Sequence, residues 1–110
     1  MKTLLALLLL IPSLSWGVNH SGYFSYMNQE CGTLTVDWEE DDVNTQNYVW
    51  GALSGYITAY NSYFGEYVGE QTDNMSMLQE IRNFCRNNPL KKLYDAVSHT
   101  YVEVRIKEGY

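Results

Sequence analysis

Two cysteines, two histidines and thirteen carboxylates are the side chains through which this chain could do chemistry. A thiol nucleophile needs a base beside it, and His20 and His99 are the available bases, yet no nucleophile motif flanks Cys31 or Cys85. His99 lies beside an apolar helical face and reads as a structural residue. The densest acidic run is Asp37, Glu39, Glu40, Asp41 and Asp42 around Trp38. Taken as a calcium loop beginning at Asp37 it fails, because position six is Asp42 where the turn needs glycine and position twelve is Tyr48 where a glutamate belongs. Glu39 and Asp42 could in principle share acid-base work, but thirteen carboxylates in a short chain make some proximity inevitable. There is no phosphate-binding glycine loop and no zinc-ligand spacing. The expectation is therefore no enzyme, no cofactor and no metal.

The elements that position these residues begin after residue 17. Lys2 followed by the apolar run 3–11, with Pro12 and then Ser15-Trp16-Gly17, reads as a secretory signal cleaved after Gly17, or else after Ser15. The run is too short to span a bilayer comfortably. Export would place the remainder, 18–110, in the periplasm or outside the cell. Its 110 − 17 = 93 residues suit one domain. Without Lys2 it carries six basic and thirteen acidic side chains, a formal charge of −7, which argues against nucleic acid as a partner. In an oxidising compartment two cysteines pair by default, so Cys31–Cys85 is expected as a disulfide contributing about 4 kcal/mol.

Four helices are expected in this domain, an all-α bundle stapled by that disulfide. Tyr23, Met27 and Cys31 recur at helical spacing, and a short helix leads into Cys31. Residues 32–38 alternate like a strand, but no second strand exists to pair with them, so helix is preferred. Residues 39–42 read as a solvated acidic loop ending at a helix N-cap. Over 45–64 the stripe Val49, Leu53, Tyr56, Tyr60, Tyr63 and Tyr67 marks an amphipathic helix, and Gly51, Gly55 and Ala59 form a groove for a neighbouring helix. Its polar residues make membrane insertion a poor reading. Residues 64–72 form a linker with two glycines. A third helix starts near Asp73, with Ser76 and Gln79 as a capping box, and buries Met77, Leu78, Ile81, Phe84 and Cys85. At the next corner Asn88 is expected to cap and Pro89 to open a fourth helix, along which Leu90, Leu93, Tyr94, Val97, Tyr101 and Val104 continue at helical spacing. Residues 106–110 are expected to fray.

Ten tyrosines supply apolar area with polar tips, which suits either core packing at 56, 60 and 63 or an exposed recognition face. The candidate protein-binding surface is Asp37, Trp38, Glu39, Glu40, Asp41, Asp42, Tyr63 and Tyr67. A homodimer is a second form of protein partner.

Three stretches carry a family resemblance: Cys31-Gly32-Thr33, residues 50–61 with Gly55-Tyr56-Ile57 and Tyr60-Asn61, and residues 83–90 with Phe84-Cys85 and Asn88-Pro89-Leu90. Together they resemble the HdeA-type periplasmic proteins and, more loosely, the Tai-type immunity proteins of type VI secretion. The resemblance covers most of 31–104 and implies an all-α fold and a role in binding proteins. The chain departs from the Tai-type pattern in holding only two cysteines, and from the acid-stress chaperones in lacking lysine-rich termini. Two functions are thus expected: a small acid-stress chaperone, or an immunity protein that caps a secreted toxin or cell-wall hydrolase.

Overall fold

The structure, a computed structural model, describes residues 27–110. The expected signal 1–17, its cleavage site and His20 lie outside the described residues; the short helix expected to lead into Cys31 is not continuous with it, because residues 28–30 are non-helical, with Glu30 extended and bridged to Lys92 and Gln29 C=O accepting from Leu93 N–H. Four helices follow: α1 (Cys31–Glu40), α2 (Asp42–Phe64), α3 (Asn74–Asn87) and α4 (Leu93–Lys107). No strand occurs among the described residues. One continuous core joins all four helices, and the Cys31–Cys85 disulfide ties α1 to α3 with Cα atoms 4.6 Å apart. Both sulfurs are shielded from solvent.

In α1, Cys31, Leu34 and Trp38 fall on one face and are buried. Residues 32–38 are therefore helical, as the missing strand partner implied. Trp38 is only 3% exposed, so it belongs to the core and leaves the candidate binding surface. The stretch 39–42 is no loop. Glu39 and Glu40 end α1, Asp41 alone is the corner (φ −144°, ψ 77°), and Asp42 begins α2.

Along α2 the buried residues are Thr45, Val49, Ala52, Leu53 and Ile57. Tyr56 and Tyr60 pack half-buried against this core, whereas Tyr63 and Phe64 overhang the end of the bundle. Gly51, Gly55 and Ala59 lie on the exposed face, and a Cβ at Gly55 would meet nothing within 4 Å. The expected small-residue groove thus holds no neighbouring helix, because the β-branched and aromatic positions of α2 face α1 and α4 instead.

Asp73 caps α3 by accepting from Met75 N–H at 3.1 Å and from the Ser76 hydroxyl at 2.9 Å. Ser76 is consequently a donor to the cap and forms no box with Gln79. Phe84 is half-buried beside the fully covered Ile81 and Cys85.

Residues 88–92 stay outside any helix, and Leu90 is 86% exposed, contrary to the expected start at Pro89. The reason is non-local. The first turn of α1 has no side-chain cap, and its orphan donors are taken by this corner: Cys31 N–H donates to Lys91 C=O and Gly32 N–H to Pro89 C=O, both at 2.8 Å. Leu93 N–H returns a 2.8 Å bond to Gln29 C=O. A helix through 89–92 would turn those carbonyls away. At Gly32 a Cβ would stand 3.2 Å from the Pro89 oxygen, so the backbones meet where a side chain would crowd them. α4 starts after Lys92, whose N–H donates to the Asp95 carboxylate at 3.0 Å.

Candidate functional site

The structure separates the residues expected to form one surface. Asp37, Glu39, Glu40, Asp41 and Asp42 stand at the N-terminal end of α2, and Tyr63 and Tyr67 at or beyond its C-terminal end. A 23-residue helix is about 35 Å long at 1.5 Å per residue, so these are two sites and not one.

At the acidic corner, Gln29 Nε2 donates to Asp37 at 2.9 Å, Asn44 Nδ2 to Asp41 at 2.8 Å, and the Thr45 hydroxyl to the Asp37 carbonyl at 3.0 Å. A shallow cleft of about 340 Å³ opens there, with Asp37, Glu40 and Asp41 on its rim. Asp42 meets Arg82 at 3.7 Å, and the Arg82 guanidinium lies 5.2 Å from the Trp38 ring centre. Glu39 and Glu40 are exposed and outside every ion pair among the described residues. No group of three acidic, histidine or cysteine side chains is placed to hold a metal among the described residues.

The opposite end is an aromatic platform. Tyr63 is 82% exposed, Tyr67 70% and Ile106 65%, with Phe64 and Tyr110 about half exposed. Below them runs a ladder of rings: Tyr60 stands 4.7 Å from Tyr56, 5.2 Å from Tyr101 and 6.0 Å from Phe64, and Tyr63 packs edge-on to Phe64 at 4.9 Å. Burial pushes the Tyr56 hydroxyl up to about 12, against the opposing effect of its 3.4 Å bond to Ser98. Burial also raises Tyr101.

The loop 65–73 that completes the platform is tied down along its length. Gly65, in the left-handed region at φ 65°, closes α2. Asn61 grips Val68 with both ends of its amide at 3.0 Å, donating to the carbonyl and accepting from the N–H. The Glu108 carboxylate accepts from Gly69 N–H at 2.9 Å, Gln71 N–H at 3.3 Å and the Thr72 hydroxyl. Tyr67 N–H donates to the Tyr110 hydroxyl at 3.2 Å. Arg105 forms two hydrogen bonds with Glu66, at 2.9 and 3.1 Å, and this pairing raises the guanidinium's affinity for its proton. Residues 106–110 are thus anchored, where the sequence suggested fraying.

His99 bridges α3 and α4: its Nε2 is 3.2 Å from Glu80 and its ring 4.9 Å from Phe84. The disulfide uses both cysteines, so the described residues contain no free thiol.

Charge is segregated along the chain. Residues 27–81 hold ten carboxylates and no Lys, Arg or His, whereas all six cations of the described chain, Arg82, Arg86, Lys91, Lys92, Arg105 and Lys107, lie beyond them with three carboxylates. This asymmetry is legible by counting, and a whole-chain charge conceals it.

No helix among the described residues is long and apolar enough to cross a membrane. These features define a disulfide-stapled all-α domain with an acidic corner and an aromatic platform. No family model, curated protein or solved structure matches the chain.

Proposed function

We propose that the chain is an exported, non-enzymatic protein-binding module that engages its partner through the aromatic platform. The observation that carries this reading is that Tyr63, Tyr67 and Ile106 are each exposed at the end of the bundle where α2, α4 and a loop fixed by Asn61, Glu66, Arg105 and Glu108 meet. Rigid tyrosines add contact area with little ordering cost, which is what protein recognition favours. A chaperone of unfolded clients in acid is the form that agrees with the family resemblance. Protonating thirteen carboxylates and two histidines would move the formal charge of 18–110 from −7 to 6 + 2 = +8, so binding should change steeply with pH.

The test is suppression of client aggregation by residues 18–110 between pH 2 and 7, with the Tyr63→Ala/Ile106→Ser variant as comparison. The platform reading expects suppression that the variant loses while its helical signal is unchanged. Wild-type protein that neither suppresses aggregation nor captures a protein from an envelope fraction would refute it.

The acidic corner favours the second reading, an immunity protein that covers a basic cleft on a toxin. Glu39, Glu40 and Asp41 would then speed association at low ionic strength. An association rate insensitive to salt would dismiss this role for the corner.

A further inference from the structure

Twice in this fold a guanidinium is held between an aromatic ring and a carboxylate close by in sequence. Arg82 lies 5.2 Å from the Trp38 ring centre and 3.7 Å from Asp42; Arg105 lies 5.9 Å from the Phe64 ring centre and 2.9 Å from Glu66. A third such combination exists at the loop. Tyr67 and Glu70, together with Trp50 of α2, line a cleft of about 290 Å³ whose lining also includes the buried Ile57, Val68 and Met77. None of the six described Lys and Arg residues pairs with Glu70 or lies over Trp50 or Tyr67.

We propose that this cleft receives an arginine or lysine side chain presented by the protein partner, a step that rests on the protein-binding reading above. The charge complementarity is direct. No cation lines the cleft or occurs anywhere in residues 27–81, so an anionic group would find no charged partner there and would face the Glu70 carboxylate. A cation gains the ring faces and the Glu70 carboxylate together. Its volume lies at the lower limit of ligand pockets, which suits one long side chain whose stem packs on the apolar lining. The Tyr67 wall is set in advance, because Val68 is gripped by Asn61 and Gly69 by Glu108, so little ordering opposes binding.

The test titrates residues 18–110 with N-acetyl-arginine amide and with its neutral counterpart N-acetyl-citrulline amide, following the Trp50 indole N–H by NMR. The expected result is a saturable shift with arginine, at least fivefold weaker binding of citrulline, and about fivefold weaker arginine binding in Glu70→Gln and in Tyr67→Ala. Both variants change exposed side chains and leave the Asn61 and Glu108 ties in place. Equal shifts from citrulline, or arginine shifts confined to the amides of Glu39 and Glu40 with Trp50 unmoved, would overturn the proposal. The same variants separate the two readings in capture of a protein partner. Capture lost in Tyr63→Ala/Ile106→Ser but untouched in Glu70→Gln would remove the cation site and keep the platform. Arginine binding by a protein that captures no partner would do the reverse.

Discussion

The two ends of α2 are built from opposite materials. At the acidic end a single residue, Asp41, turns the chain from one helix to the next, and the carboxylates around it reach into solvent. At the aromatic end nine residues, 65–73, make the same kind of connection, yet they are held by Asn61, Arg105, Glu108 and Tyr110. The short connection needs only local ties, from Asn44 to Asp41 and from Thr45 to the Asp37 carbonyl, because two adjoining helices fix it. The long one would wander without them, and a wandering Tyr67 could present no fixed surface. Order at the aromatic platform thus comes from polar anchors placed behind its exposed rings.

The largest expected effect lies at neither end. Replacing Cys31 and Cys85 by Ser frees α1 and should cost about 4 kcal/mol by the chain-entropy argument, a fall in melting temperature of about 15 °C or more. Native-state hydrogen exchange would sharpen the comparison, with α1 amides losing more protection than those of α2 near Tyr60. Uniform loss would mean that α1 is not the part the bond retains.

Next in size is Glu108→Ala, which strips three hydrogen bonds from the loop and should cost about 2 kcal/mol. The urea midpoint at constant slope measures it, and a midpoint unchanged from wild type would show the ties to be idle. A comparable effect is expected in alkali. The Tyr56 hydroxyl is held near 12 when folded against 10 when unfolded, so the unfolded chain releases its proton first. Stability is full below pH 10 and falls as pH rises to 12, by about 1–2 kcal/mol after solvent screening of the part-exposed ring. Thermal melts across that window should show the decline, and Tyr56→Phe should flatten it.

Gly55→Ala should raise stability by about 0.5–1 kcal/mol, since a Cβ there meets open space and alanine lowers the entropy of the unfolded chain. A loss would restore the groove expected from the spacing of Gly51, Gly55 and Ala59. Smallest of all, Glu39→Gln with Glu40→Gln should stay within about 0.5 kcal/mol in a chemical denaturation curve, because both are exposed. Such a null effect beside the Glu108 loss would complete the contrast between the two ends.

What could be read in advance was whatever is local. The four helices, the C-terminal end of α2, the start of α3 near Asp73 and the cysteine pair all follow from spacing and the count of thiols. Trp38 was misplaced because five carboxylates crowd its neighbourhood, although its distance from Leu34 and Cys31 put it on their buried face. The corner at Pro89 was illegible for a deeper reason. Local signals favour a helix start there, and the competing demand comes from donors at Cys31 and Gly32, far away in sequence. The platform was half visible: Tyr63 and Tyr67 stood out, while the ties from Glu108 and Tyr110 join segments about forty residues apart that no pattern links.

Those carbonyls at Pro89 and Lys91 also set a clock. Gly32 leaves the ribosome 57 positions before Pro89, a delay of about 3–11 s at roughly 5–20 residues per second. During that interval α1 has ten residues, no closed first turn and no partner for Cys31, and a helix so short is marginal by itself. The first of the four helices is therefore unable to close its own first turn until the corner after α3 has been made.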